Sequence, residues 1–289
     1  MILDGKTTSL TIQDELAARV NERVEQGAHR PHLAAILVGD HPASRAYVGH
    51  KVKACERVGF VSTLVELPAT ISEADLIGEV QKLNDCADVD GFIVQLPLPD
   101  HINEQRIIET VHPAKDVDGF HPENVGRMTL GLPTFLPATP AGVLELLKRH
   151  AVETEGKHVV VIGRSAIVGT PLSILLSRNN TPGNATVTLC HSRTKDLPAI
   201  ARQADILVAA IGRAHFVQAD WVKEGAVVVD VGINHIPDAT KKSGRRMVGD
   251  VDFEAVAPKC AAITPVPGGV GPMTIAALLQ NTLRAAEQR

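Results

Sequence analysis

The chain has 289 residues, a formal net charge of −4 and 21% charged residues, a composition typical of soluble globular proteins and long enough for two domains. Because there is no basic excess, the composition argues against nucleic acids and anionic membranes as partners. Charged residues interrupt the apolar residues of positions 1–20, and no run of eighteen apolar residues occurs, so neither a secretory signal nor a membrane-spanning helix is expected.

The first half of the sequence alternates short apolar runs with segments of helical periodicity. Such alternation is typical of βαβ units, in which helices cover a parallel sheet, so we expect an α/β domain. The predicted elements are strands at 33–38, 60–67 and 91–96 and helices at 45–58 and 73–86.

A segment with four prolines and two glycines, residues 120–140, follows this first half. Its composition breaks regular structure and predicts a joint between domains. At its end, Thr139 followed by Pro140 is typical of an N-cap and a first helical residue, which predicts a helix over 141–150.

The second half repeats the alternation and ends in one more helix. We therefore predict two α/β domains with a cleft between them, the second domain containing a Rossmann-type parallel sheet. The first covers residues 1–138, the second covers 139–270, and the helix in 271–289 is expected to pack back on the first. The predicted elements are strands at 158–162, 186–189, 206–211 and 227–231 and helices at 171–178, 197–203 and 273–286, with a break at 265–272.

A glycine turn lies between the predicted strand at 158–162 and the helix that follows it. Such a turn presents backbone N–H groups at the positive end of a helix dipole, where a pyrophosphate binds. The pattern starts at Gly163 but departs from the usual dinucleotide fingerprint, since Ser165 replaces the second glycine and Arg164 lies inside the turn. Similar turns occur in α/β proteins that bind nothing there, so the pattern alone leaves both interpretations open.

The end of the next predicted strand indicates which dinucleotide would bind. NAD-binding domains place an acidic residue roughly 20 residues beyond the glycines, whereas residues 190–194 contain no carboxylate. Arg164, Ser192 and Arg193 could instead donate hydrogen bonds to a 2′-phosphate. The segment thus favours NADP over NAD, the alternative being a solvated surface turn.

Four polar residues of the first half are candidates for chemistry. Tyr47 and Lys51 lie one helical turn apart, and they suit either a cleft wall or a surface with a snorkelling lysine. Gln95 closes a predicted strand at the sheet edge where ligands bind. Asp118 lies in a loop rich in charges and turn formers, where it could form an Asx turn, cap a helix or bind a donor-rich heterocycle.

The four cysteines are far apart in the sequence. They have neither CxxC spacing nor a neighbouring histidine cluster, so no metal site is predicted. We expect reduced, structural thiols in a cytoplasmic protein. These residues are Cys55, Cys86, Cys190 and Cys260.

Several short segments together point to a known family. In their order, and over nearly the whole chain, they resemble the bifunctional methylenetetrahydrofolate dehydrogenase/cyclohydrolase family. The segments are 44–48 with Lys51, 91–99, 115–120 with Asn124 and Gly126, 137–140, the loop beginning at Gly163, 230–234 and 264–272.

The resemblance implies two successive reactions on one folate, within one-carbon metabolism and purine biosynthesis. Hydride passes from 5,10-methylenetetrahydrofolate to NADP⁺, and water then converts the methenyl product to 10-formyltetrahydrofolate. It also implies that Lys51 is the acid/base group, that Tyr47 stacks on the folate, that Gln95 hydrogen-bonds Lys51 and that Asp118 holds the pterin. A lysine is a poor base at neutral pH unless burial and a cationic ligand lower its pKa.

The resemblance extends to the second half and to assembly. It implies that Ile233 lies over the cofactor, and that Pro267, Gly268 and Gly269 form a substrate-binding loop beside the cleft. A homodimer is the assembly expected of the family.

Three alternatives remain at this point. The chain could be a dehydrogenase without the hydrolytic step, a dehydrogenase of another small substrate, as shikimate-type enzymes are, or a dinucleotide-sensing regulatory protein. The combination of Tyr47, Lys51, Gln95 and Asp118 distinguishes an enzyme from a sensor, because a sensor has no need of it.

Overall fold

The structure, a computed structural model, describes residues 1–241 and 244–289, and the chain divides into two compact units. The first unit comprises Leu10–Ala138 and Ile275–Arg289, and the second comprises Met1–Ser9 and Thr139–Thr274. The first nine residues differ from the expected division. They join the second unit because Leu3 N donates to the carbonyl oxygen of Ile263 at 2.9 Å.

The first unit is built on a three-stranded parallel sheet in the order β2-β1-β3. The central strand is buried at all positions but its first, which is typical of a parallel strand covered by helices on both faces. Leu76 and Val80 of one helix and Ile107 of another pack against Ile36 and Phe92 of the sheet. The elements are α1 (Gly5–Glu25), β1 (His32–Val38), α2 (Pro42–Val58), β2 (Val61–Leu67), α3 (Glu73–Asp85), β3 (Gly91–Val94), α4 (Glu104–Thr110) and α5 (Pro122–Thr129).

The second unit contains a five-stranded parallel sheet and a two-stranded antiparallel hairpin. The elements are α6 (Ala138–Arg149), β4 (His158–Ile162), α7 (Gly169–Ser177), β5 (Thr186–Cys190), α8 (Leu197–Ala201), β6 (Ile206–Ala209), β7 (Val227–Asp230), β8 (Asn234–Pro237), β9 (Arg245–Val248), α9 (Phe253–Val256) and β10 (Ala262–Ile263). The last helix, α10 (Val270–Glu287), begins in this unit and belongs to the first unit from Ile275 onwards. The strand order β10-β7-β6-β4-β5 reverses direction between β4 and β6. Ligands of doubly wound sheets bind beside such a reversal, at the carboxyl ends of the strands. The predicted α/β class with a Rossmann-type sheet is confirmed.

Several boundaries differ from the predicted ones, three of them in the predicted joint and in the last helix. Segment 120–140 contains α5, because Pro122 starts a helix instead of breaking one and His121 Nδ1 accepts from Glu123 N at 3.1 Å. Thr139 lies inside α6 and is not its N-cap, and its hydroxyl is 3.0 Å from the hydroxyl of Thr274. Helix α10 begins at Val270 and has Pro272 in its first turn. Proline is tolerated there because the backbone N–H groups of a first turn have no hydrogen-bond partner within the helix.

Strand β3 ends one residue before Gln95, although the ladder continues to it. The backbone N–H of Gln95 donates to the carbonyl oxygen of Ile36 at 2.9 Å. This hydrogen bond fixes the backbone of Gln95 directly after β3, and Gln95 therefore lies at a strand end, as predicted.

In both sheets, a histidine at the amino end of one strand makes the same pair of hydrogen bonds. In the first unit, His32 opens the central strand, its Nε2 lies 2.9 Å from the hydroxyl of Thr63 on β2, and its backbone N–H donates to Asp90 at 2.8 Å. The second unit repeats the arrangement with His158, Thr188 of β5 and Asp205, at 2.9 and 2.9 Å. Each sheet thus has its register fixed at the edge opposite to the carboxyl ends of its strands.

Candidate active site

Lys51 and Tyr47 lie on α2, which Pro42 opens and Gly59 closes. The Lys51 side chain is buried, with a residue exposure of 5%, and its Nζ is 5.1 Å from the centre of the Tyr47 ring. A surface lysine that snorkels would keep its ammonium group in water. The burial of Lys51 therefore favours the cleft-wall interpretation of this spacing.

Gln95 supplies the hydrogen-bond acceptor for the buried amine. Lys51 Nζ donates to Gln95 Oε1 at 3.2 Å, and Gln95 Nε2 donates to the carbonyl oxygen of Leu96 at 2.7 Å. Because the amide nitrogen is occupied by this carbonyl, the amide oxygen is the atom that faces the lysine.

Two aspartates in one loop have different tasks. Asp116 forms the loop, since its carboxylate accepts from the backbone N–H groups of Gly119, Phe120 and His121 and from Asn124 Nδ2. Among the described residues, none donates a hydrogen bond to the carboxylate of Asp118. The turn-forming role considered for Asp118 belongs to its neighbour, which leaves the Asp118 carboxylate available for a ligand.

The backbone around Asp118 is held from two sides. The N–H of Ala138 donates to the Asp118 carbonyl oxygen at 3.2 Å. Asn281 of α10 donates from Nδ2 to the carbonyl oxygens of Val117 and Leu136 at 2.8 and 3.0 Å. Asn281 was not predicted from the sequence, because an asparagine in the middle of a helix gives no local signal of this long-range contact.

Burial and charge act in opposite directions on the titrating groups of this cluster. Burial lowers the pKa of Lys51, while the nearby Asp118 carboxylate raises it. Burial likewise raises the pKa of Asp118, and the lysine opposes that rise. Cys55, one turn beyond Lys51, is fully buried and its pKa is raised to about 12, so it remains a neutral thiol. The cluster therefore holds a lysine that loses its proton more readily than a solvated one.

In the second unit, the loop after β4 requires glycine at two positions. Gly163 has φ 124°, and a Cβ there would lie 2.0 Å from the carbonyl oxygen of Ala210. A Cβ on Gly169 would lie 1.8 Å from the carbonyl oxygen of Gly163. A side chain at Gly163 would push the loop away from the backbone that follows β6, and one at Gly169 would push the amino end of α7 away from the loop.

The same loop has the donors that a pyrophosphate needs. Ser165 Oγ accepts from Val168 N at 3.2 Å and Gly169 N at 3.4 Å, so the serine caps the amino end of α7. In the described part of the chain, the backbone N–H groups of Arg164, Ser165 and Ala166 have no acceptor. These donors stand at a helix amino end beside an exposed arginine, an arrangement that fits a dinucleotide.

The turn after β5 presents two polar side chains to solvent. His191 N donates to Thr194 Oγ1 at 2.9 Å and Arg193 N donates to His191 Nδ1 at 3.1 Å, which fixes the turn. Ser192 and Arg193 are exposed. Because Gly163 N donates to Cys190 O at 2.9 Å, this turn follows a strand end that is bonded directly to the loop at Gly163–Val168, proposed below as the phosphate loop.

Ile233 follows β7 and is 49% exposed, which is unusual for a large apolar side chain next to buried carboxylates. Asp230, almost fully buried, accepts from the backbone N–H groups of Gly232, Asp250 and Val251, each at 2.9 Å. Burial raises the pKa of Asp230 to about 6, and these three donors oppose the rise. Neither the role of Asp230 nor Asp250 itself was predicted from the sequence, because their only sequence signal is an aspartate near a glycine at a strand end.

The loop after β10 carries the remaining predicted residues. Pro267 lines a cavity of about 430 Å³, shared with Asp230 and with cationic side chains such as Arg246. Gly268 accepts from Lys6 N at 2.9 Å. Gly269 precedes the first residue of α10.

The predicted site residues thus form two groups. Tyr47, Lys51, Gln95 and Asp118 belong to the first unit, where direct contacts or electrostatic coupling link each of them to Lys51. The residues at Gly163–Ser165, Ser192–Arg193, Ile233 and Pro267–Gly269 follow β4, β5, β7 and β10, at the carboxyl edge of one sheet. Their functional roles stay predictions.

Residues 1–241 and 244–289 contain neither a metal-binding cluster nor a membrane-spanning helix. No group of three histidine, cysteine, aspartate or glutamate side chains in these ranges is arranged to hold a metal ion. Nor does any helix there combine the length and apolar character needed to cross a membrane. The four cysteines are free thiols.

Comparison with known proteins gives matches over nearly the whole chain. Residues 3–118 match the family profile described as "Tetrahydrofolate dehydrogenase/cyclohydrolase, catalytic domain", and residues 137–289 match the corresponding NAD(P)-binding domain. The chain is 63% identical to the "Bifunctional protein FolD" of Cytophaga hutchinsonii, over 99% of this chain and 98% of that protein.

Solved structures give the same result. A methylenetetrahydrofolate dehydrogenase/cyclohydrolase from Campylobacter jejuni is 49% identical, with a TM-score of 0.93 over 100% of this chain and 99% of that one. The Trypanosoma brucei enzyme, solved with NADP and an inhibitor, is 40% identical, with a TM-score of 0.94 over 100% and 97%.

Proposed function

The chain belongs to the tetrahydrofolate dehydrogenase/cyclohydrolase family, and on that premise we propose that it performs both of the reactions that give the family its name. It oxidises 5,10-methylenetetrahydrofolate to the 5,10-methenyl form with NADP⁺, and it hydrolyses that product to 10-formyltetrahydrofolate. The observation that carries the proposal is the buried Lys51 amine, bonded to Gln95 and coupled to Asp118. A regulatory dinucleotide sensor would have no use for this cluster.

In this proposal the first unit forms the folate-binding domain and the second unit forms the NADP-binding domain, so residues 1–9 move from the first predicted domain, 1–138, to the second, 139–270. Asp118 accepts hydrogen bonds from the amino-pyrimidinone edge of the folate, a role that suits a carboxylate without other donors. Tyr47 stacks on the substrate. Gln95 and the Pro267–Gly269 loop complete the substrate contacts.

Lys51 performs the proton transfers of the hydrolytic step. Its neutral Nζ accepts a proton from water as the oxygen forms a bond to the methenyl carbon. The bond from that carbon to N5 then breaks, N5 takes up the hydroxyl proton, and the carbon remains on N10 as a formyl group. One proton is released overall. The lowered pKa of Lys51 favours this role, because a protonated amine could not accept the proton and would repel the methenyl cation.

Residues of the second unit hold the cofactor. When bound, NADP⁺ supplies the hydride acceptor for the first reaction. The loop at Gly163, Arg164 and Ser165 binds the pyrophosphate through the N–H groups of Arg164 and Ser165, and Ser192 and Arg193 bind the 2′-phosphate. Ile233 covers the nicotinamide half with apolar surface. The NADP in the Trypanosoma brucei relative supports this choice of cofactor.

A two-signal assay tests the proposed function. We expect the purified protein to form NADPH from methylenetetrahydrofolate and NADP⁺, because the cluster around Lys51 and the Gly163 loop provide both half-sites. Supplied methenyltetrahydrofolate should be hydrolysed without cofactor. NADPH and methenyl absorbance are followed separately. Folded protein that produces no NADPH would refute the dehydrogenase assignment. If the methenyl absorbance does not decay, the protein is a dehydrogenase that lacks the hydrolytic activity.

Replacement of Arg193 by Ala tests the choice of NADP. We expect kcat/KM with NADP⁺ to fall at least about tenfold, since hydrogen bonds to a charged group typically contribute about 1.5–3 kcal/mol. The value with NAD⁺ should stay nearly constant, because NAD⁺ has no 2′-phosphate. Arg202→Ala, an exposed arginine on the amino-end side of the same sheet, serves as the control. Equal efficiency of the native protein with NAD⁺ and NADP⁺ would contradict the assignment.

We also propose a cytoplasmic homodimer that supplies 10-formyl groups to purine biosynthesis. The free thiols suit the reducing cytoplasm. Strand β2 is an edge strand that pairs on one side with β1 and exposes Val61 and Leu64 by 43% and 40%. Proteins usually cover such an edge, and a second copy of the chain is the occupant that fits the proposed homodimer.

A further inference from the structure

We propose that Asp250 is a positioning residue for the nucleotide cofactor, an inference that rests on the proposed function. It has no exposed surface and lies just after β9. Its carboxylate accepts four hydrogen bonds, two at each oxygen. Oδ2 accepts from the backbone N–H groups of Ile211 and Gly212 at 2.6 and 2.9 Å, and Oδ1 accepts from Arg213 N at 2.8 Å and Asn234 Nδ2 at 2.9 Å.

The first three donors follow β6 and border the phosphate loop. Ala210, immediately before them, donates its N–H to the carbonyl oxygen of Ile162 at 2.8 Å. Its own carbonyl oxygen is the atom that a Cβ on Gly163 would strike. A shift of residues 211–213 would therefore move the backbone against which the phosphate loop rests.

The fourth donor, Asn234, follows Ile233 directly. On the other side of Ile233, Gly232 approaches so closely that a Cβ there would lie 2.3 Å from Asp250 Oδ1. Asp230 adds to this support, since its Oδ1 accepts from both Gly232 N and Asp250 N. The exposed Ile233 side chain is thus presented by residues that contact Asp250 on both sides.

Asp250 accordingly links the wall of the phosphate loop to the residue proposed to cover the nicotinamide half. Its four accepted bonds require a carboxylate. An amide in its place would turn an NH₂ group towards two N–H donors, whichever way it was oriented. The buried Asp250 carboxylate thus holds the two proposed cofactor-binding segments at a constant separation.

Asn234→Ala is the principal test, because it removes one donor and leaves the buried carboxylate with three. The matched control is Thr240→Ala on the same hairpin, which also removes one side-chain donor to an aspartate, Asp238, at 2.6 Å. Asp250→Asn is a second, stronger variant. The measurements are the Kd for NADP⁺ by titration calorimetry, KM and kcat of the dehydrogenase, and methenyl hydrolysis without NADP⁺.

We expect Asn234→Ala to raise Kd and KM for NADP⁺ about tenfold, with kcat nearly constant, because NADP⁺ binding must then restore an arrangement that the lost hydrogen bond held in the free protein, at a cost of up to the energy of that bond. Hydrolysis should be unchanged, and Asp250→Asn should raise Kd further. NADP⁺ affinity equal to that of Thr240→Ala would overturn the inference, as would an equal loss of both activities. A native protein that binds no NADP⁺ would instead refute the proposed function.

Discussion

Lys51→Met is expected to lower the rate of methenyl hydrolysis by about 10³-fold, within the range that general acid–base catalysis contributes. Methionine retains most of the buried alkyl chain, and Gln95, which loses its donor, is only half-buried and can be hydrated. The fall in the hydrolysis rate therefore reports the removal of the amine and not a change in packing. Lys53→Met, at an exposed position on the same helix, is the matched control and should hydrolyse methenyltetrahydrofolate at the native rate.

The same substitution has a predicted effect on stability. Burial lowers the pKa of Lys51 in the folded protein, so the unfolded chain binds the proton more tightly. The free energy of unfolding should then rise with pH, from the lowered pKa up to the unfolded value of about 10.4. Lys51→Met removes this part of the rise and should be at least as stable as the native protein at neutral pH. Undiminished hydrolysis in this variant would remove Lys51 from its proposed role.

The pH dependence of the native enzyme provides an independent check. Hydrolysis should increase with pH as Lys51 loses its proton, and the increase should occur below the pKa of a solvated lysine. The profile of kcat for hydrolysis reports this titration in the substrate complex. A rise with an ordinary lysine pKa would contradict the effect of burial.

Gly163→Ala is expected to reduce NADP⁺ affinity at least about 100-fold, since small displacements of binding groups have effects of that size. The new Cβ would lie 2.0 Å from the backbone carbonyl oxygen of Ala210, directly after β6, and that atom cannot move away as a side chain can. The phosphate loop must shift and lose the bond from Gly163 N to Cys190 O. Titration calorimetry with NADP⁺ measures the loss, and circular dichroism monitors folding.

Gly156→Ala separates the clash from backbone strain. Gly156 lies in the same unit with φ 69°, but no atom lies within 4 Å of a Cβ there. Its alanine variant should be destabilised by about 1–2 kcal/mol, the strain of an L-residue at positive φ, with NADP⁺ affinity intact. If both variants bind NADP⁺ normally, the Gly163 turn is not the pyrophosphate site.

The fold class was predictable because its cause is local. Buried parallel strands need continuous apolar runs and their helices need an apolar stripe, and both patterns are visible along the chain. Helix α5 was missed because Pro122 has opposite meanings in the middle and at the start of a helix. Only the histidine before it, which caps the helix, distinguishes the two.

The candidate site was predictable to a smaller extent. The spacing of Tyr47 and Lys51 places both on one side of a helix, but it cannot reveal the burial of the amine, which depends on distant residues. Nor could spacing distinguish Asp116 from Asp118, since the difference lies in which backbone N–H groups surround each carboxylate. Asp250 could not be found at all, because its four donors come from segments more than ten residues away along the chain.

The paired anchors at His32 and His158 have a consequence for redesign of the enzyme. Each histidine, with its threonine and aspartate partners, secures a sheet at the end remote from every residue proposed to bind a ligand. Loops at the opposite end can be exchanged with little risk to strand register. Libraries that vary residues 192–194 to change cofactor preference should therefore retain a high proportion of folded members, provided that both anchors are kept.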